Sequence, residues 1–408
     1  MRGSIVKRQV KAEPGRKPRH VYYCVVADGD KRKWHGDPDT GSGFTRREKA
    51  EAHLQDLLVA VRTGTYVEPS TMTVQEWSQG WLKRHKDRVR PSTWHGYETK
   101  LRVHVWPYIG DVKLQQLRPV HLDDLYATLR ESGKRVKNKP PAPLSTSTVH
   151  QVHTILGECL GDAVRKGVLA RNPQEAATAP KISTKADGTV TMNTWSATQV
   201  ATFLDRTSDH RHHALWAFLL LTGCRRGEAL GLRWVDVDLD RARANVQQTI
   251  GKAGGKIVVG TTKSGAGRRP VALDTDLVRI LSAQKIAQDD EKALVGVGYD
   301  DHGLVFANPD GTPLYPEGVS RMFGEKAEKA GLPKIRLHDC RHTWATLALQ
   351  AGVHPKVVQE RLGHANVSIT LSIYSHVAPS MHDDAAEVVA GVIRAAKAPN
   401  VVPLRDAR

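Results

Sequence analysis

The sequence predicts a multidomain protein with a small α+β N-terminal domain, an all-α second domain and a mainly helical α+β third domain. The chain has 408 residues, which is too many for one ordinary hydrophobic core. Two short segments, residues 65–70 and 181–189, have the glycine, proline and polar composition of linkers. The first part of the chain contains strand-like runs, the second only helical patterns, and the third mixes the two. These observations predict domains at 1–68, 71–180 and 190–395, followed by a tail at 396–408.

The first domain is predicted to contain a strand pair and one helix. Residues 20–26 are rich in β-branched and aromatic side chains, which is typical of a strand. Residues 31–34 follow an Asp-Gly-Asp turn and are expected to form the returning strand of a hairpin. Thr45 and Glu48 have the spacing of a helix capping box, and apolar residues at helical spacing follow them. A basic strand pair with one helix is compatible with DNA binding by a sheet in a groove; a small folding cap is the alternative.

The second domain is predicted to be a basic, all-helical bundle. Thr73 and Glu76 form another capping-box pattern at the start of a helix. Apolar residues at helical spacing predict three more helices, starting at Pro91, over 122–129 and over 145–167. The positive charge of this bundle is compatible with DNA binding, although a solvated charged surface would have the same composition.

The third domain is predicted to combine helices with a short strand region, and it contains every candidate catalytic motif. A P-loop is not expected, because the glycines from Gly251 to Gly267 lack the required spacing. These glycines are typical of hairpin turns instead. The chemistry of this domain therefore depends on its charged and titratable side chains.

The composition narrows the class of protein. The formal net charge is +17 at pH 7, and such an excess in a soluble protein favours a polyanionic partner, with nucleic acid as the first hypothesis. No run of 18 apolar residues predicts a membrane span, and the charged N-terminus lacks the apolar region of a secretory signal. The 4 cysteines are widely spread without a CxxC pair, which argues against a disulfide framework. We therefore expect a protein of a reducing cytoplasm.

The first candidate motif places an arginine at a break between two helices. An apolar helical pattern ends at Gly223, and another helix is expected to begin near Arg226. The backbone would fix the direction of Arg225 at this break. Glu228 is close enough in sequence to hold a neighbouring guanidinium by the bidentate pairing that arginine favours. A plain salt bridge at a helix end is the alternative for Arg225 alone.

Two further motifs contain histidines. His338 and Arg341 are three residues apart and would share one face of a helix. The last motif contains His364 and, ten residues later, Tyr374. The histidines, with His342, also suggest a zinc site. No carboxylate or cysteine completes a ligand set with familiar spacing, however, and nearby arginines would repel a cation. No metal is therefore expected.

Together these residue types suit phosphoryl transfer without a metal. Guanidinium groups match the oxygens of a phosphate and remain charged at every relevant pH. Histidine can donate or accept a proton near neutral pH, and tyrosine can act as a covalent nucleophile. The transition state of phosphodiester cleavage gains negative charge, which prepositioned cations stabilise more than they stabilise the ground state.

At these residues the sequence resembles the tyrosine recombinases of the phage integrase family. The letters TGCRRGE, HDCRH and LGHANVSITLSIYSH are similar to the family's arginine, His-x-x-Arg and nucleophile boxes, in the family's order. Residues 260–265, followed by 269–273, resemble the β-hairpin that carries the family's lysine. The resemblance is strong over 190–385 and moderate over 71–180, which would be the helical, SAM-like core-binding domain. It is weak over 1–68, which would be an arm-binding domain.

The resemblance implies a role for each cationic residue. Arg225 and Arg341 would hold the non-bridging oxygens of the scissile phosphate, and Glu228 would support the first of these arginines. Lys263 would protonate the departing 5′-oxygen. Lys256, in the same glycine-rich stretch, competes with Lys263 for that role.

The resemblance also implies roles for the remaining residues. Tyr374 would attack the phosphorus and leave a 3′-phosphotyrosine. His338 would be the acid–base partner of the tyrosine proton, and His364 would hydrogen-bond the phosphate. Because the ester conserves the bond energy, rejoining would need no ATP and no cofactor.

The implied function is that of a site-specific DNA integrase, acting as a homotetramer on double-stranded core and arm attachment sites. An excisionase or a host DNA-bending protein is a possible further partner. An Xer-like resolvase would share the catalytic domain but usually lacks a module such as 1–68. A non-catalytic DNA-binding regulator would not need Tyr374, and a type IB topoisomerase would not need the layout of separate DNA-binding domains.

Overall fold

The computed structural model describes residues 3–10, 19–28, 31–37, 40–63, 66–135, 138–180, 193–261, 267–363, 390 and 393–394. The chain forms two compact units, Met1–Ser183 and Thr184–Arg408. The predicted linker at 181–189 and the predicted tail at 396–408 lie outside the described residues. Among the helices that the structure describes, none combines the length and the apolar composition that a membrane span requires.

The first unit begins with three described strands that form an antiparallel sheet, and one helix packs on this sheet. In chain order these elements are β1 (Gly3–Val10), β2 (Arg19–Asp28), β3 (Lys31–His35) and α1 (Arg47–Arg62). The predicted hairpin is confirmed, because β2 pairs with β3 with Val25 opposite Trp34. The sequence did not predict β1, whose polar and basic side chains conceal the strand. The predicted capping box at Thr45 is wrong, since α1 has Arg46 at its N-cap.

The rest of this unit is a helical bundle with its own hydrophobic core. Its helices are α2 (Val74–His85), α3 (Pro91–His104), α4 (Trp106–Ile109), α5 (Pro119–Ser132) and α6 (Thr146–Arg165). The capping box at the start of α2 is confirmed: the Glu76 backbone N–H donates to Thr73 Oγ1 at 3.2 Å, and the Thr73 backbone N–H donates to Glu76 Oε2 at 2.8 Å. Trp77 of α2 donates its indole N–H to the carbonyl of Cys159 in α6 at 3.0 Å, which joins the first and last helices of the bundle.

The second unit is mainly helical. Its described helices are α7 (Ala197–Arg206), α8 (His213–Thr222), α9 (Arg226–Leu230), α10 (Thr275–Val295), α11 (Pro316–Lys329), α12 (Asp339–Gln350) and α13 (Pro355–Leu362). The residues of α8 are buried almost all round, as its continuous apolar sequence predicts. Helix α8 ends just before Gly223 and helix α9 begins just after Arg225, as the sequence predicts.

The strands of the second unit form two small antiparallel sheets in the described part of the chain. They are β4 (Val237–Asp238), β5 (Arg243–Val246), β6 (Gln248–Ala253), β7 (Lys256–Thr261) and β8 (Arg269–Ala272). β6 pairs with β7, whereas β8 pairs with β5 in the other sheet. The hairpin expected over 260–273 is therefore wrong in its pairing. The described hairpin is the β6–β7 pair, whose turn contains Gly254 and Gly255.

Candidate active site

Arg225 lies at the short break between α8 and α9. Gly223 ends α8 in the left-handed conformation, with φ +69°, which is the ordinary way for a glycine to terminate a helix. A Cβ atom at this glycine would lie 2.7 Å from Leu362 Cδ2 and 3.1 Å from Trp344 Cε3, so the backbone is also closely packed. Arg225 follows as the N-cap residue of α9, and 38% of its side chain is exposed. The break between the helices lies where the sequence predicts it, and the Arg225 side chain there is held by Glu228 and by the carbonyl of Gly363.

Glu228 is a buried carboxylate that holds two arginines. One oxygen, Oε1, accepts from Arg225 Nη1 at 2.6 Å; the other, Oε2, accepts from Arg269 Nη2 and from the Arg225 backbone N–H, both at 3.0 Å. Burial by itself would raise the pKa of Glu228. The hydrogen bonds and positive charges of Arg269 and Arg225 outweigh this effect and lower the pKa of Glu228 below its usual value. Glu228 is therefore ionised at neutral pH, although only 2% of its side chain is exposed.

Arg341 lies in the first turn of α12 and reaches the C-terminal ends of two other helices. Its Nη1 donates to the carbonyl of Gly223 at 2.9 Å, after α8, and its Nη2 donates to the carbonyl of Leu362 at 2.6 Å, at the end of α13. Helix C-termini carry partial negative charge, which favours a cation at this place. Burial and the nearby Arg225 lower the pKa of Arg341 to about 9, so the guanidinium still carries its charge at neutral pH.

His338 is the N-cap residue of α12, three residues before Arg341. Its ring packs edge-on against His342, with the centroids 5.4 Å apart. The residue is exposed at the surface, yet desolvation by the surrounding protein, His342 and Arg341 together lower the pKa of His338 to about 4. The next residue, Asp339, is fixed by Arg336 through bonds of 2.7 and 3.0 Å. His338 is therefore a neutral imidazole at physiological pH, on a rigid helix start.

A cleft of about 1020 Å³ is lined by both Arg225 and His338. Its floor contains apolar side chains such as Ile250, Ile335 and Leu337. Its rim carries charged side chains from α9, α11 and the segment before α12, namely Arg226, Arg321, Glu325, Glu328, Lys334 and Arg336. Two of the predicted catalytic side chains, Arg225 and His338, thus line a cleft whose charged lining residues are mainly basic.

The structure brings together Arg225, Glu228 and Arg341, with His338 beside them. The other predicted site residues, Lys263, His364 and Tyr374, lie outside the described residues. The described chain before His364 ends at the site: Arg225 Nη2 donates to the carbonyl of Gly363 at 3.1 Å. Gly267, the first described residue after Lys263, accepts from Arg269 at 3.2 Å.

Two further arginines at the site, Arg269 and Arg361, were not predicted as site residues from the sequence. Arg269 is 8% exposed and contacts Glu228 directly. Arg361, at the end of α13, donates to the carbonyl of Ala272 at 2.8 Å, and its guanidinium lies 5.0 Å from the centre of the Trp344 ring. The position of Arg269 did offer a signal, because a charged residue alternates with Val271 on the buried face of β8.

Metal-ligating side chains do not cluster in the described part of the chain: no three histidine, cysteine, aspartate or glutamate residues there could hold one ion. The described cysteines are all free and buried. The guanidinium groups described at the site are held by one carboxylate and by backbone carbonyls at helix ends.

Comparisons with known proteins match both parts of the chain to one family. The model of the phage integrase family matches residues 193–381, and the model of the phage integrase N-terminal SAM-like domain matches residues 73–130. The chain is also similar to a tyrosine recombinase XerC-like protein of Caldanaerobacter subterraneus subsp. tengcongensis. The two are 28% identical over 365 residues, which is 85% of this chain and 90% of that protein.

Two solved structures share the fold. The Tn1549 transposon integrase in complex with circular intermediate DNA has a TM-score of 0.62 and 21% identity, covering 78% of this chain and 100% of that one. A lambda integrase tetramer bound to a Holliday junction has a TM-score of 0.53 and 17% identity, covering 86% and 92%. The fold is thus a SAM-like domain followed by a catalytic domain, mostly helical with some sheet. The family matches span well over half of the sequence and include the arginine site, so the chain belongs to the phage integrase family of tyrosine recombinases.

Proposed function

We propose that this protein is a site-specific DNA integrase, which integrates or excises a mobile element by cutting and rejoining DNA through a 3′-phosphotyrosine. One observation carries the proposal. Arg225 and Arg341 both donate hydrogen bonds to backbone carbonyls at the end of α13, and the Glu228 carboxylate accepts a further hydrogen bond from Arg225. In a member of the tyrosine recombinase family, this arrangement is suited to a scissile phosphate.

The charge of the arginine network favours binding of a phosphodiester. Three guanidinium groups, those of Arg225, Arg269 and Arg341, surround the single carboxylate of Glu228. The network therefore keeps a net positive charge that its own carboxylate does not neutralise. Fixed cations of this kind stabilise the extra negative charge of the transition state without the reorganisation that water would require.

The proposed cleavage step balances without a cofactor. The phenol oxygen of Tyr374 forms a bond to phosphorus while the bond from phosphorus to the 5′-oxygen breaks. The neutral imidazole of His338 takes the tyrosine proton, and Lys263 gives a proton to the departing 5′-oxygen. His364 hydrogen-bonds the phosphate. Attack of a 5′-hydroxyl on the phosphotyrosine reverses these steps and seals the new strand.

The position of the β6–β7 hairpin favours Lys263 over Lys256 as the proton donor. Lys256 is exposed beside the turn at the far end of the hairpin, where it pairs with Ala253. Thr261, two residues before Lys263, pairs instead with Gln248 at the base. The Gln248 side chain donates to the carbonyl of Gly231, the C-cap residue of α9, at 3.0 Å. The base of the hairpin therefore adjoins the helix that carries Glu228, whereas its tip does not.

We assign the other domains to DNA binding. Residues 71–180 would be the core-binding domain and 1–68 the arm-binding domain, ahead of a catalytic domain over 190–395. In the N-terminal sheet, Arg8 stacks over Trp34 at 4.5 Å, which places a cation on an exposed aromatic face. A homotetramer would hold two duplexes, with an excisionase or a host DNA-bending protein as further partners. Such an enzyme would work in the cytoplasm, at the nucleoid.

A nicked suicide substrate tests the proposal. The core site would be taken from the junction between the element and the chromosome that flank this gene. The full-length protein should form a covalent adduct with this DNA, and the Tyr374→Phe variant should bind it equally well and form none. Because fixed cations neutralise the phosphate, the adduct should also form in EDTA. An adduct formed by the Tyr374→Phe variant would show that the nucleophile is assigned wrongly.

A further inference from the structure

We propose that Arg269 is a positioning residue of this active site, which ties together three of the segments that carry or adjoin the catalytic groups. This inference rests on the function proposed above. Arg269 is not among the residues that line the cleft, and its guanidinium donates to protein groups. It acts through the groups that it holds.

Each nitrogen of the Arg269 guanidinium has a partner in a different segment. Nη2 donates to Glu228 Oε2 at 3.0 Å, and Glu228 in turn holds Arg225. Nε donates to the carbonyl of Arg361 at 2.5 Å, near the end of the helix that precedes His364. Nη1 donates to the carbonyl of Gly267 at 3.2 Å, where the chain returns from Lys263. One side chain thus contacts the segment after Arg225, the segment after Lys263 and the segment before His364.

Strand β8 places the Arg269 side chain at a buried position. In β8, Arg269 and Val271 lie on the buried face, and the two residues between and after them are exposed. Arg269 pairs with Val246 of β5, so the sheet fixes its backbone. A guanidinium at a buried position must find partners for its donors, because an unpaired buried charge is very unfavourable. The three acceptors satisfy this requirement.

Arg269 also sets the electrostatic state of Glu228. The charged and titratable groups around this carboxylate are Arg225 on α9, Arg269 on β8, Arg341 on α12 and the buried thiol of Cys224. The hydrogen bond from Arg269 is the strongest of the influences that lower the pKa of Glu228. Without Arg269, the whole carboxylate charge would fall on Arg225, which would hold that guanidinium away from a phosphate and neutralise it.

The experiment compares full-length Arg269→Gln, Arg269→Lys, Glu228→Gln and the double variant Arg269→Gln/Glu228→Gln. The matched control is Arg211→Gln. Arg211 also makes an ion pair, with Glu291 at 2.6 Å, and bonds a backbone carbonyl at 2.8 Å, in the same unit but with no contact to the arginine network among the described residues. The measurements are DNA binding, single-turnover adduct formation on the suicide substrate from pH 5 to 9, and thermal unfolding over the same range.

We expect Arg269→Gln to bind the core DNA but to form adduct roughly 100-fold more slowly, the loss typical of a displaced catalytic group. Its rate should fall as pH rises through the now higher pKa of Glu228, where the rate of the wild-type protein does not, because the ionised carboxylate would then neutralise Arg225. The Arg269→Lys variant should recover part of the rate, since lysine keeps the charge but not the three directed bonds. In the Glu228→Gln background, Arg269→Gln should slow adduct formation less than it does in the wild-type background, because the bond between Arg269 and the Glu228 carboxylate is then already lost.

The proposal is overturned if Arg269→Gln forms adduct at the wild-type rate. It is also overturned if this variant loses only thermal stability, as Arg211→Gln should, with the wild-type pH profile and with effects that add to those of Glu228→Gln. If Arg269→Gln does not fold, the adduct rate, its pH profile and its additivity with Glu228→Gln are measured with Arg269→Lys and with the double variant instead, and the same outcomes overturn the proposal. If the wild-type protein forms no adduct, the function proposed above fails. Thermal unfolding then tests the ion pair between Arg269 and Glu228 independently of catalysis. The loss of stability in Arg269→Gln should grow as pH rises through the range in which carboxyl groups ionise. This pH dependence should be absent when Glu228 is replaced by Gln.

Discussion

The Gly223→Ala substitution tests two features of the break between α8 and α9, just before Arg225: the left-handed backbone of Gly223 and the close packing around it. Gly223 has φ +69°, and a Cβ atom there would lie 2.7 Å from Leu362 Cδ2 and 3.1 Å from Trp344 Cε3. An alanine in the left-handed region costs about 1–2 kcal/mol, and forcing an extra carbon into a packed site costs a further ~1–3 kcal/mol. We therefore expect a loss of about 2–5 kcal/mol in the free energy of unfolding.

The matched control is Gly303→Ala, which separates backbone strain from crowding. Gly303 has φ +65°, and a Cβ atom at this position would have no atom of the described residues within 4 Å. This control should therefore lose only the ~1–2 kcal/mol of backbone strain. For a domain of this size, each kcal/mol lowers the melting temperature by about 2–4 °C, so thermal unfolding distinguishes the two variants readily.

The same substitution should also reduce catalysis. The Gly223 carbonyl accepts from Arg341 Nη1, so a shift of this backbone displaces a phosphate-binding guanidinium. Adduct formation should fall roughly 100-fold, while Gly303→Ala should cleave at the wild-type rate. If Gly223→Ala loses no more stability than Gly303→Ala and still forms adduct normally, the argument from close packing is wrong.

Three further predictions concern groups around this site. Lys263→Ala should slow cleavage severely and be rescued by a 5′-bridging sulfur, a leaving group that needs no proton; Lys256→Ala should show neither effect, and the reverse pattern would exchange the two roles. Deletion of residues 1–68 should leave cleavage of isolated core DNA largely intact but sharply reduce integration between full attachment sites, because the tether between core and arm sites is lost; equal loss of both activities would place this module in the core fold. His338 should remain a competent base down to about pH 4, since its pKa is lowered to about 4. A cleavage rate that falls below about pH 6.5 in the wild-type protein, but not in His338→Gln, would contradict that shift.

The sequence alone was sufficient for features that depend on neighbouring residues. The apolar run of α8, the glycine that ends it and the arginine that follows are all local, so their spacing predicted the break between the two helices correctly. The capping box at Thr73 and the amphipathic helix α6 were predicted for the same reason. The residue types in three separate motifs also indicated phosphoryl transfer, because guanidinium, imidazole and phenol groups have few other joint uses.

Which distant segments meet became known only from the packed chain. β8 follows β7 in sequence but pairs with β5, because strand pairing depends on the faces that the surrounding core buries and not on proximity along the chain. Arg269 and Glu228 are 41 residues apart, and their contact depends on the burial of both side chains. The strand β1 was missed because its basic residues carry little periodic signal, and Arg46 rather than Thr45 became the N-cap of α1. Helices and their ends depend on neighbouring residues and can be predicted from the sequence, whereas the partners of buried charges depend on how distant segments pack.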